Sequence, residues 1–377
     1  MKFAIITHVP HIHEENQYYA YAPYVREMNI WEKYVDEITI VAPLVKKERT
    51  AIECVYKHPI IKLKVIPDFD VLSIVAVLKT VLKLPKLIWI IFQTMRQTDH
   101  IHLRCPGNVG LLACFVQILF PNKIKTAKYA GNWDPKSKQP WSYCMQKWIL
   151  NNSFLTRNMQ VLVYGEWQNQ SKNIKPFFTA TYSELEKTTF VPKESKSKIN
   201  FVFVGTLVKG KNPLYAIQLV ERLHRNGYNV YLDLYGEGVE RSILEKYISD
   251  QQLDEFIQLR GNQKKEVLKT AYQQSHFVVL PSLSEGWPKA IAEGMFWGCV
   301  PLATNVSCIP NMLEDGRRGV ILKMNLDYDS LQVKTVLENQ NIFDTKSCKA
   351  LEWSQKYTLE IFENEIKKII HADSSTN

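Results

Sequence analysis

Short apolar runs alternate with amphipathic stretches along most of this chain of 377 residues. Runs such as 37–42 and 200–204 are rich in β-branched and other apolar residues, which predicts buried strands. Stretches such as 213–225 repeat apolar residues at helical spacing, and Pro213 suits the first turn of a helix. Strands that alternate with helices predict an α/β protein whose parallel sheets carry helices on both faces. Ligands of such sheets bind beyond the carboxyl ends of the strands.

The predicted elements suggest two domains, for which 377 residues are sufficient. Predicted strands cover residues 2–7, 37–42, 60–66, 99–103, 125–130, 159–164, 200–204, 229–235, 256–259, 276–280 and 298–304. Predicted helices cover 25–34, 109–120, 213–225, 239–249, 263–274, 288–297 and 359–370. The strand at 159–164 is expected to be the last of the first domain, and the polar stretch 183–199 is predicted to be a linker. The predicted domains are 1–190 and 191–352, followed by a helical segment at 353–377.

The net charge of +9 lies in one half of the chain. Residues 1–195 hold 25 Lys and Arg against 16 Asp and Glu, whereas residues 196–377 hold 22 of each kind. A basic half with long apolar stretches favours an anionic membrane surface as a partner over nucleic acid, for which no aromatic–basic motif is present. The longest apolar stretch, 71–95, is interrupted by lysines and Pro85, so it predicts two short helices and no membrane span. Those helices fit either an interfacial anchor or a pair of core helices.

Cysteine usage and the first residues indicate a cytoplasmic protein. The seven cysteines are scattered and form no CxxC pair, which is typical of reduced thiols. The apolar run after Met1 is too short for a signal peptide. The predicted location is the cytoplasm, with peripheral association at the inner face of the cytoplasmic membrane.

Three short motifs contain residues that could bind a metal, but none of them predicts a metal site. His11 and His13 lack a third ligand nearby, and a loop at 8–28 that contributes to acceptor binding is the preferred interpretation. The D-x-D tripeptides at 68–70 and 327–329 are interpreted as turns and helix caps.

The stretch 276–298 combines a strand, a polar turn and the start of a helix. The first N–H groups of a helix have no internal partner and attract anions, so a phosphate is expected on Gly286, Trp287, Pro288 and Lys289. Glu285 and Glu293 lie on either side of this position. Because a carboxylate can accept hydrogen bonds from paired hydroxyls, the set fits a nucleotide diphosphate sugar, which has a diol at each end.

The spacing of Glu285 and Glu293 resembles the E-x7-E signature of retaining GT-B glycosyltransferases of the family-four type. The resemblance covers residues 199–322 well and the first half of the chain only loosely. It implies two Rossmann-like domains with parallel sheets facing an inter-domain cleft, and a final helix that crosses back to the first domain. It also implies transfer of a sugar to a hydroxyl of a saccharide or lipid-linked acceptor, with retained configuration. No metal is implied, because the helix dipole and the lysine would take its role, and no cofactor is implied, because the nucleotide diphosphate sugar is a co-substrate.

The resemblance also assigns roles to individual residues. Gly205 and Lys211 match the glycine and lysine of the family, and Lys211 would stabilise the charge on the leaving diphosphate. Glu285 would bind the hydroxyls of the donor sugar, and Glu293 would bind the ribose. The loop at Gly261 and Asn262 would hold the base.

The chain departs from the family pattern at three positions. Thr206 stands at the position of an arginine, and Lys209 is the candidate to replace its charge. The usual histidine falls near Ala130 and Gly131, so Asn132 is the candidate to face the reacting sugar. The first loop also lacks the Gly-Gly pair of many relatives.

Two other functions fit the same residues. A nucleotide-sugar epimerase would bind the same diphosphate and change the sugar without an acceptor. A non-catalytic nucleotide-sugar-binding scaffold would retain Glu293 and tolerate the missing arginine and histidine.

Overall fold

The computed structural model describes residues 1–50, 52–67, 74–194 and 198–372. The chain divides into two compact units, one made of Met1–Phe178 with the chain from Glu363 onward, the other of Thr179–Phe362. Each unit contains a parallel β-sheet with helices, which confirms the predicted α/β fold of two Rossmann-like domains. The D-x-D tripeptide at 68–70 lies outside the described residues.

The first unit contains a seven-stranded sheet in which all strands are parallel. Its elements are β1 Lys2–Ile6, β2 Ile12–Glu14, β3 Gln17–Tyr21, α1 Ala22–Trp31, β4 Glu37–Pro43, β5 Glu53–Val55, β6 Ile61–Ile66, α2 Ile74–Gln97, β7 His100–Cys105, α3 Asn108–Val116, β8 Ile124–Tyr129, α4 Trp141–Leu150, β9 Met159–Tyr164 and β10 Ile174–Phe177. The strand order is β10-β9-β8-β7-β1-β4-β6. The central strands are buried because helices cover them, and β1 and β4 accordingly consist of nearly continuous apolar runs.

The second unit contains a six-stranded parallel sheet in the order β13-β12-β11-β14-β15-β16. Its elements are β11 Ile199–Val204, α5 Pro213–Arg225, β12 Val230–Tyr235, α6 Arg241–Asp250, β13 Ile257–Gly261, α7 Lys265–Gln274, β14 Phe277–Leu280, α8 Lys289–Phe296, β15 Val300–Thr304, α9 Ile309–Leu313, β16 Val320–Leu322, α10 Leu326–Glu338 and α11 Gln340–Ser354. The last helix, α12, covers Leu359–Ala372. From Glu363 onward it belongs to the first unit, where the Glu363 carboxylate accepts hydrogen bonds from Lys33 and Tyr34.

Three sequence predictions for the first unit are wrong. The first loop contains the antiparallel hairpin β2–β3, whose turn residues Glu15 and Asn16 both have positive φ. The strand β10 follows β9, which was predicted to be the last strand. The stretch 71–95 was predicted as two short helices, but α2 continues through Pro85. A single proline removes one backbone hydrogen bond, whereas burial of Leu87, Ile91 and Met95 holds the rest of the helix against the sheet.

The strand β7 contains two buried histidines, His100 and His102. The strand β7 lies between β1 and β8 in the sheet, so both imidazoles are fully buried. Each ring has one nitrogen within hydrogen-bonding distance of the Thr126 hydroxyl, 2.9 Å for His100 and 2.8 Å for His102. Burial lowers the pKa of His100 to about 3, so the imidazole is neutral at physiological pH.

Glu32 makes the stability of the first unit dependent on pH. Its side chain is buried and accepts a hydrogen bond from the backbone N–H of His58. Burial raises the pKa of Glu32 to about 7 from its ordinary value of 4.5. Between these two pH values the folded chain binds more protons than the unfolded chain, so the Glu32 contribution to stability falls as pH rises.

We therefore expect Glu32→Gln to be increasingly more stable than the wild type as pH rises from about 5 to about 8. The difference in the free energy of unfolding should reach about 3 kcal/mol at the upper end of this range. Urea denaturation at a series of pH values measures it, and exposed Glu48→Gln is the matched control. A difference that stays constant with pH would show that Glu32 ionises normally in the folded protein.

Candidate functional site

The second sheet has its topological switch point between β11 and β14. From β11 the chain continues to β12 and β13 on one side, and from β14 it continues to β15 and β16 on the other. In an open parallel sheet, the loops that leave the two strands at this point diverge and form a crevice for ligands. Those loops are 205–212 and 281–288.

The two loops at the switch point contact each other through backbone and side chains. The Leu283 N–H donates to the Gly210 carbonyl at 2.9 Å. Lys211 Nζ lies 2.6 Å from Glu285 Oε1. The Glu285 side chain is 5% exposed and the Lys211 side chain 30% exposed, so the ammonium can still reach a ligand. Lys211 and Glu285 are 74 positions apart in the sequence, and the sequence analysis assigned them to one site. The structure brings their side chains into contact.

The loops after β12 and β13 lie at the same edge of the sheet. The Gly205 N–H donates to the Tyr235 carbonyl, and the Gly236 N–H donates to the Gly261 carbonyl, both at 2.9 Å. A Cβ atom on Gly236 would lie 1.9 Å from the Gly205 carbonyl oxygen, so this approach requires glycine. Thr206 and Lys209 of the loop after β11 and Asn262 of the loop after β13 are exposed.

The helix α8 begins at Lys289, so Pro288 is its N-cap residue and not its first helical residue as predicted. The Gly286 carbonyl before it accepts a hydrogen bond from Ser307 Oγ at 3.1 Å. The Trp287 ring contacts Trp353 and Tyr357, with ring centroids 6.1 and 5.6 Å apart. These contacts fix the polypeptide that leads into the amino end of α8.

Glu293 lies in a second group of polar side chains, which contains residues that the sequence analysis did not identify. Its Oε1 accepts from the Thr181 hydroxyl at 2.7 Å, and its Oε2 accepts from the Tyr272 hydroxyl at 3.2 Å. Burial and the Glu293 carboxylate raise the pKa of Tyr272, which keeps its hydroxyl a donor. Lys265 Nζ donates to the Thr181 carbonyl at 2.8 Å and fixes this threonine.

A small cavity opens beside Glu293. It is lined by Thr179, Ala180, Thr181, Tyr182, Trp287, Lys289, Ala292, Glu293, Phe296, Ser354 and Tyr357. Thr181 and Tyr182 come from a segment without strand or helix, and Tyr357 from the turn before α12. The feature of the sequence that could have indicated Thr181 and Tyr182 is the cluster of hydroxyl and aromatic residues at 179–182, directly before the predicted linker.

Asn132 lies in the first unit, in the loop that follows β8. Its Oδ1 accepts a hydrogen bond from the Asp134 N–H at 2.9 Å, and its side chain is buried. These contacts give Asn132 a structural role in its own loop. Its assignment to the reaction stays a prediction.

In the part of the chain that the structure describes, the residues that could bind a metal do not form a ligand set. Within the described ranges, no three His, Cys, Asp or Glu side chains converge in a way that could hold an ion. The two nitrogens of the His11 ring lie 2.8 Å from the Val9 carbonyl and the Tyr56 hydroxyl, and burial lowers the pKa of His11 to about 4. The tripeptide 327–329 belongs to the start of α10, where Asp329 accepts a hydrogen bond from Tyr215.

The position of α8 depends on Gly294, because a Cβ atom there would lie 2.6 Å from Val278 Cγ1 on β14. We expect Gly294→Ala to lower the free energy of unfolding by about 1–3 kcal/mol, since a methyl group would force the helix away from the strand. Urea denaturation measures the loss, and Gly210→Ala is the control because nothing lies within 4 Å of its Cβ position. In the double variant with Val278→Ala, the two losses should be less than additive. Full additivity would contradict the proposed contact.

Comparison with known families identifies the part of the chain that carries this site. Residues 186–351 match the family described as glycosyl transferases group 1. This stretch is a group 1 glycosyl transferase domain. The domain contains β11–β16 and therefore the switch point with Lys211, Glu285 and Glu293.

Curated relatives are similar to this glycosyl transferase domain at low identity. One is the UDP-N-acetylglucosamine–peptide N-acetylglucosaminyltransferase GtfA subunit of Streptococcus pneumoniae, 24% identical over 183 residues. The aligned part covers 47% of this chain and 35% of that protein. Another is the GDP-mannose:cellobiosyl-diphosphopolyprenol alpha-mannosyltransferase of Xanthomonas oryzae, 27% identical over 122 residues, or 32% of each chain. The chain thus spans about a third of the length of these two relatives.

Solved structures resemble the whole chain and support the GT-B fold. Sucrose-phosphate synthase from Thermosynechococcus elongatus aligns over 100% of both chains with a TM-score of 0.72 at 13% identity. Anabaena Alr3699/HepE, solved in complex with UDP and glucose, aligns over 99% of this chain and 100% of its own, with a TM-score of 0.69 at 14% identity. The predicted fold class is confirmed by these structures, beyond the bounds of the glycosyl transferase domain.

Proposed function

We propose that this protein is a retaining glycosyltransferase that moves a sugar, of hexose type, from a nucleotide diphosphate sugar to a hydroxyl of a saccharide or lipid-linked acceptor. The observation that supports this most is the Lys211–Glu285 pair, which lies at the switch point of a group 1 glycosyl transferase domain. A cation and a buried carboxylate next to the amino end of α8 suit a ligand with both a diphosphate and sugar hydroxyls.

In the proposed reaction, the bond between the sugar and the diphosphate breaks, and a bond from the same carbon to the acceptor oxygen forms on the same face. The acceptor hydroxyl releases its proton to the solvent, and the nucleoside diphosphate leaves with the electron pair of the broken bond and therefore with an additional negative charge. Lys211 and the N–H groups at the start of α8 stabilise that charge. The donor-sugar hydroxyls replace Lys211 as partners of the Glu285 carboxylate.

The remaining residues bind the rest of the donor. Glu293, held by Thr181 and Tyr272, accepts the ribose hydroxyls. Gly286, Trp287, Pro288 and Lys289 surround the diphosphate, and Lys209 supplies the charge that Thr206 lacks. The loop at Gly261 and Asn262 contacts the base, and Asn132 faces the reacting sugar. No metal or cofactor takes part in this proposal, and the enzyme works in the cytoplasm at the membrane surface.

The test has two stages. Thermal unfolding with a panel of nucleotide diphosphate sugars identifies the donor, because a ligand that binds the folded state raises its apparent stability. Release of nucleoside diphosphate is then measured with and without saccharide and lipid-linked acceptors. Release that depends on the acceptor supports the proposal, and an altered free nucleotide sugar would identify an epimerase instead. Stabilisation by a donor without any turnover would identify a binding scaffold.

A further inference from the structure

Three helices of the first unit form one layer on the same face of its sheet. The helix α2 packs against β1 and β4, and its neighbour α3 packs against both α2 and α4. One apolar core lies beneath all three, with Leu87 and Ile91 from α2, Val109 from α3 and Ile149 from α4. The opposite sides of these helices therefore form a continuous outer surface.

This outer surface is rich in large apolar side chains that are exposed. On α4, Trp141, Met145 and Trp148 share one helical face, and the two tryptophans are 74% and 61% exposed. The same layer exposes Ile88 and Trp89 from α2 and Phe115 from α3. It also exposes Leu119, which follows α3, and Phe154, which follows α4. Soluble proteins rarely expose so many large apolar side chains together unless the surface binds a partner. We call these eight residues the aromatic surface.

Aromatic contacts connect α2 to the segment just beyond α3, and a hydrogen bond connects α4 to the start of α3. The ring of Trp89 stacks on Phe92 at 6.0 Å, and Phe92 lies 5.2 Å from Phe120, just beyond α3. On the other side of α3, the buried amide of Gln146 on α4 accepts a hydrogen bond from the Gly107 N–H. The exposed residues of α2, α3 and α4 thus belong to one surface.

The charge of this region is predominantly positive. Residues 74–158 contain twelve Lys and Arg but only two acidic residues, Asp99 and Asp134, and none of the three helices contains an acidic residue. Six cations of the same region are exposed: Lys83, Lys86, Arg96, Lys136, Lys138 and Arg157. Arg157 lies over the Phe154 ring, with its guanidinium carbon 4.8 Å from the ring centroid.

We propose that the aromatic surface inserts into the interface of an anionic lipid bilayer. Tryptophan and phenylalanine favour the headgroup region, and lysine and arginine at the rim attract anionic headgroups. Within the described residues, no helix is long and apolar enough to cross a membrane. Because the eight exposed residues lie on the outer side of one helical layer, the layer binds parallel to the bilayer plane, in the manner of interfacial helices. Membrane binding would bring the enzyme to a lipid-linked acceptor, and this role rests on the proposed function.

A protein partner is the other occupant that such a surface could have, and the charge pattern favours lipid. A protein interface tends to be poor in lysine at its core and pairs its rim charges with specific opposite charges. Here the basic residues are spread along the whole layer and face a uniform negative surface equally well. Association with lipid should then depend on both the aromatic residues and ionic strength.

The experiment is co-sedimentation of the full chain with vesicles, without donor or acceptor. Vesicles of phosphatidylcholine with about 30 mol % phosphatidylglycerol are compared with pure phosphatidylcholine, at low salt and at about 0.5 M NaCl. The variant Trp141→Ser/Trp148→Ser should bind the anionic vesicles at least about tenfold more weakly than the wild type. Lys136→Glu/Lys138→Glu should lose most of the salt-dependent part of binding. Ile243→Ser/Leu331→Ser removes exposed apolar residues of the second unit and should bind like the wild type.

Three results would overturn the proposal: no binding of the wild type to anionic vesicles, equal binding to both vesicle types, or unchanged binding of the tryptophan variant. Self-association that the tryptophan substitutions abolish, without vesicle binding, would assign the surface to a second copy of the chain. Thermal stabilisation by nucleotide sugars, measured without vesicles, tests the proposed function separately. The tryptophan variant should retain it, so loss of membrane binding and failure of the enzymatic proposal remain distinguishable.

Discussion

Lys211→Ala should lower turnover of the nucleotide sugar by roughly 10²–10³-fold, the range found when one donor to a developing anion is removed. The ammonium lies 2.6 Å from Glu285 Oε1, and its side chain remains partly exposed to the crevice at the switch point. In the proposed reaction, charge grows on the leaving diphosphate, so the loss should appear in turnover more than in donor affinity. Release of nucleoside diphosphate at saturating donor measures turnover, and thermal stabilisation by the donor measures donor affinity.

Two controls separate catalysis from stability in this experiment. Removing Lys211 leaves the buried Glu285 carboxylate without its partner, which by itself costs stability. Lys211→Arg retains the charge and should restore the free energy of unfolding more fully than turnover, because a guanidinium has a different shape. Lys246→Ala removes an exposed lysine of α6 and should change neither quantity. Wild-type turnover in Lys211→Ala would show that another group stabilises the diphosphate, and Lys209→Ala would then be the variant to measure.

The second unit could be predicted well from its sequence because each of its elements combines periodicity with a clear boundary. Residues 213–225 form α5 with the predicted bounds, since Pro213 starts the helix and a strongly amphipathic stretch follows. The strands β11 and β14 are short apolar runs between polar loops, and both were predicted to within one residue. Parallel strands bring their carboxyl ends to one edge, so the loops with Lys211 and Glu285 could be assigned to one site before their contact was known.

The first unit was harder to predict because its additional elements lack those signals. The hairpin β2–β3 turns at Glu15–Asn16, which is not one of the glycine-containing pairs that mark such turns. The helix α4 has apolar residues on two sides: Ile149 and Leu150 are buried, whereas Trp141 and Trp148 are exposed. Such a helix has no single apolar face to detect. The apolar residues on both sides of α4 prevented its prediction from the sequence. The exposed ones also suggest that a partner covers the outer side of this helix.

The residues around Glu293 could not be predicted because they come together only through tertiary structure. Thr181 lies 112 positions before Glu293 and belongs to no regular element. Tyr272 is an ordinary core position of α7 by its spacing, since its ring is fully buried and only the hydroxyl reaches the carboxylate. Sequence spacing made Glu293 a candidate through its distance to Glu285, but it gave no indication of the two hydroxyl donors that orient this carboxylate.

Glu293→Ala should weaken donor binding about 10–100-fold, because hydrogen bonds to a charged group contribute about 1.5–3 kcal/mol. The ribose would lose its acceptor, and the Thr181 and Tyr272 hydroxyls would lose their shared partner. Turnover at saturating donor should fall less than affinity, the opposite of the result expected for Lys211. Isothermal titration with the donor and with the nucleoside diphosphate alone measures the effect. Both ligands should be weakened equally, because the ribose is common to them.

The hydroxyl donors provide the sharper test of this assignment. If Thr181 and Tyr272 act by orienting Glu293, then Thr181→Val and Tyr272→Phe should each weaken donor binding in the wild type but not in a Glu293→Ala background. The coupling free energy in each double-mutant cycle should be about 0.5–3 kcal/mol. The exposed Glu255→Gln on the same unit controls for the loss of one negative charge. Additive effects would mean that the three side chains act independently, and unchanged affinity in Glu293→Ala would remove Glu293 from the donor site.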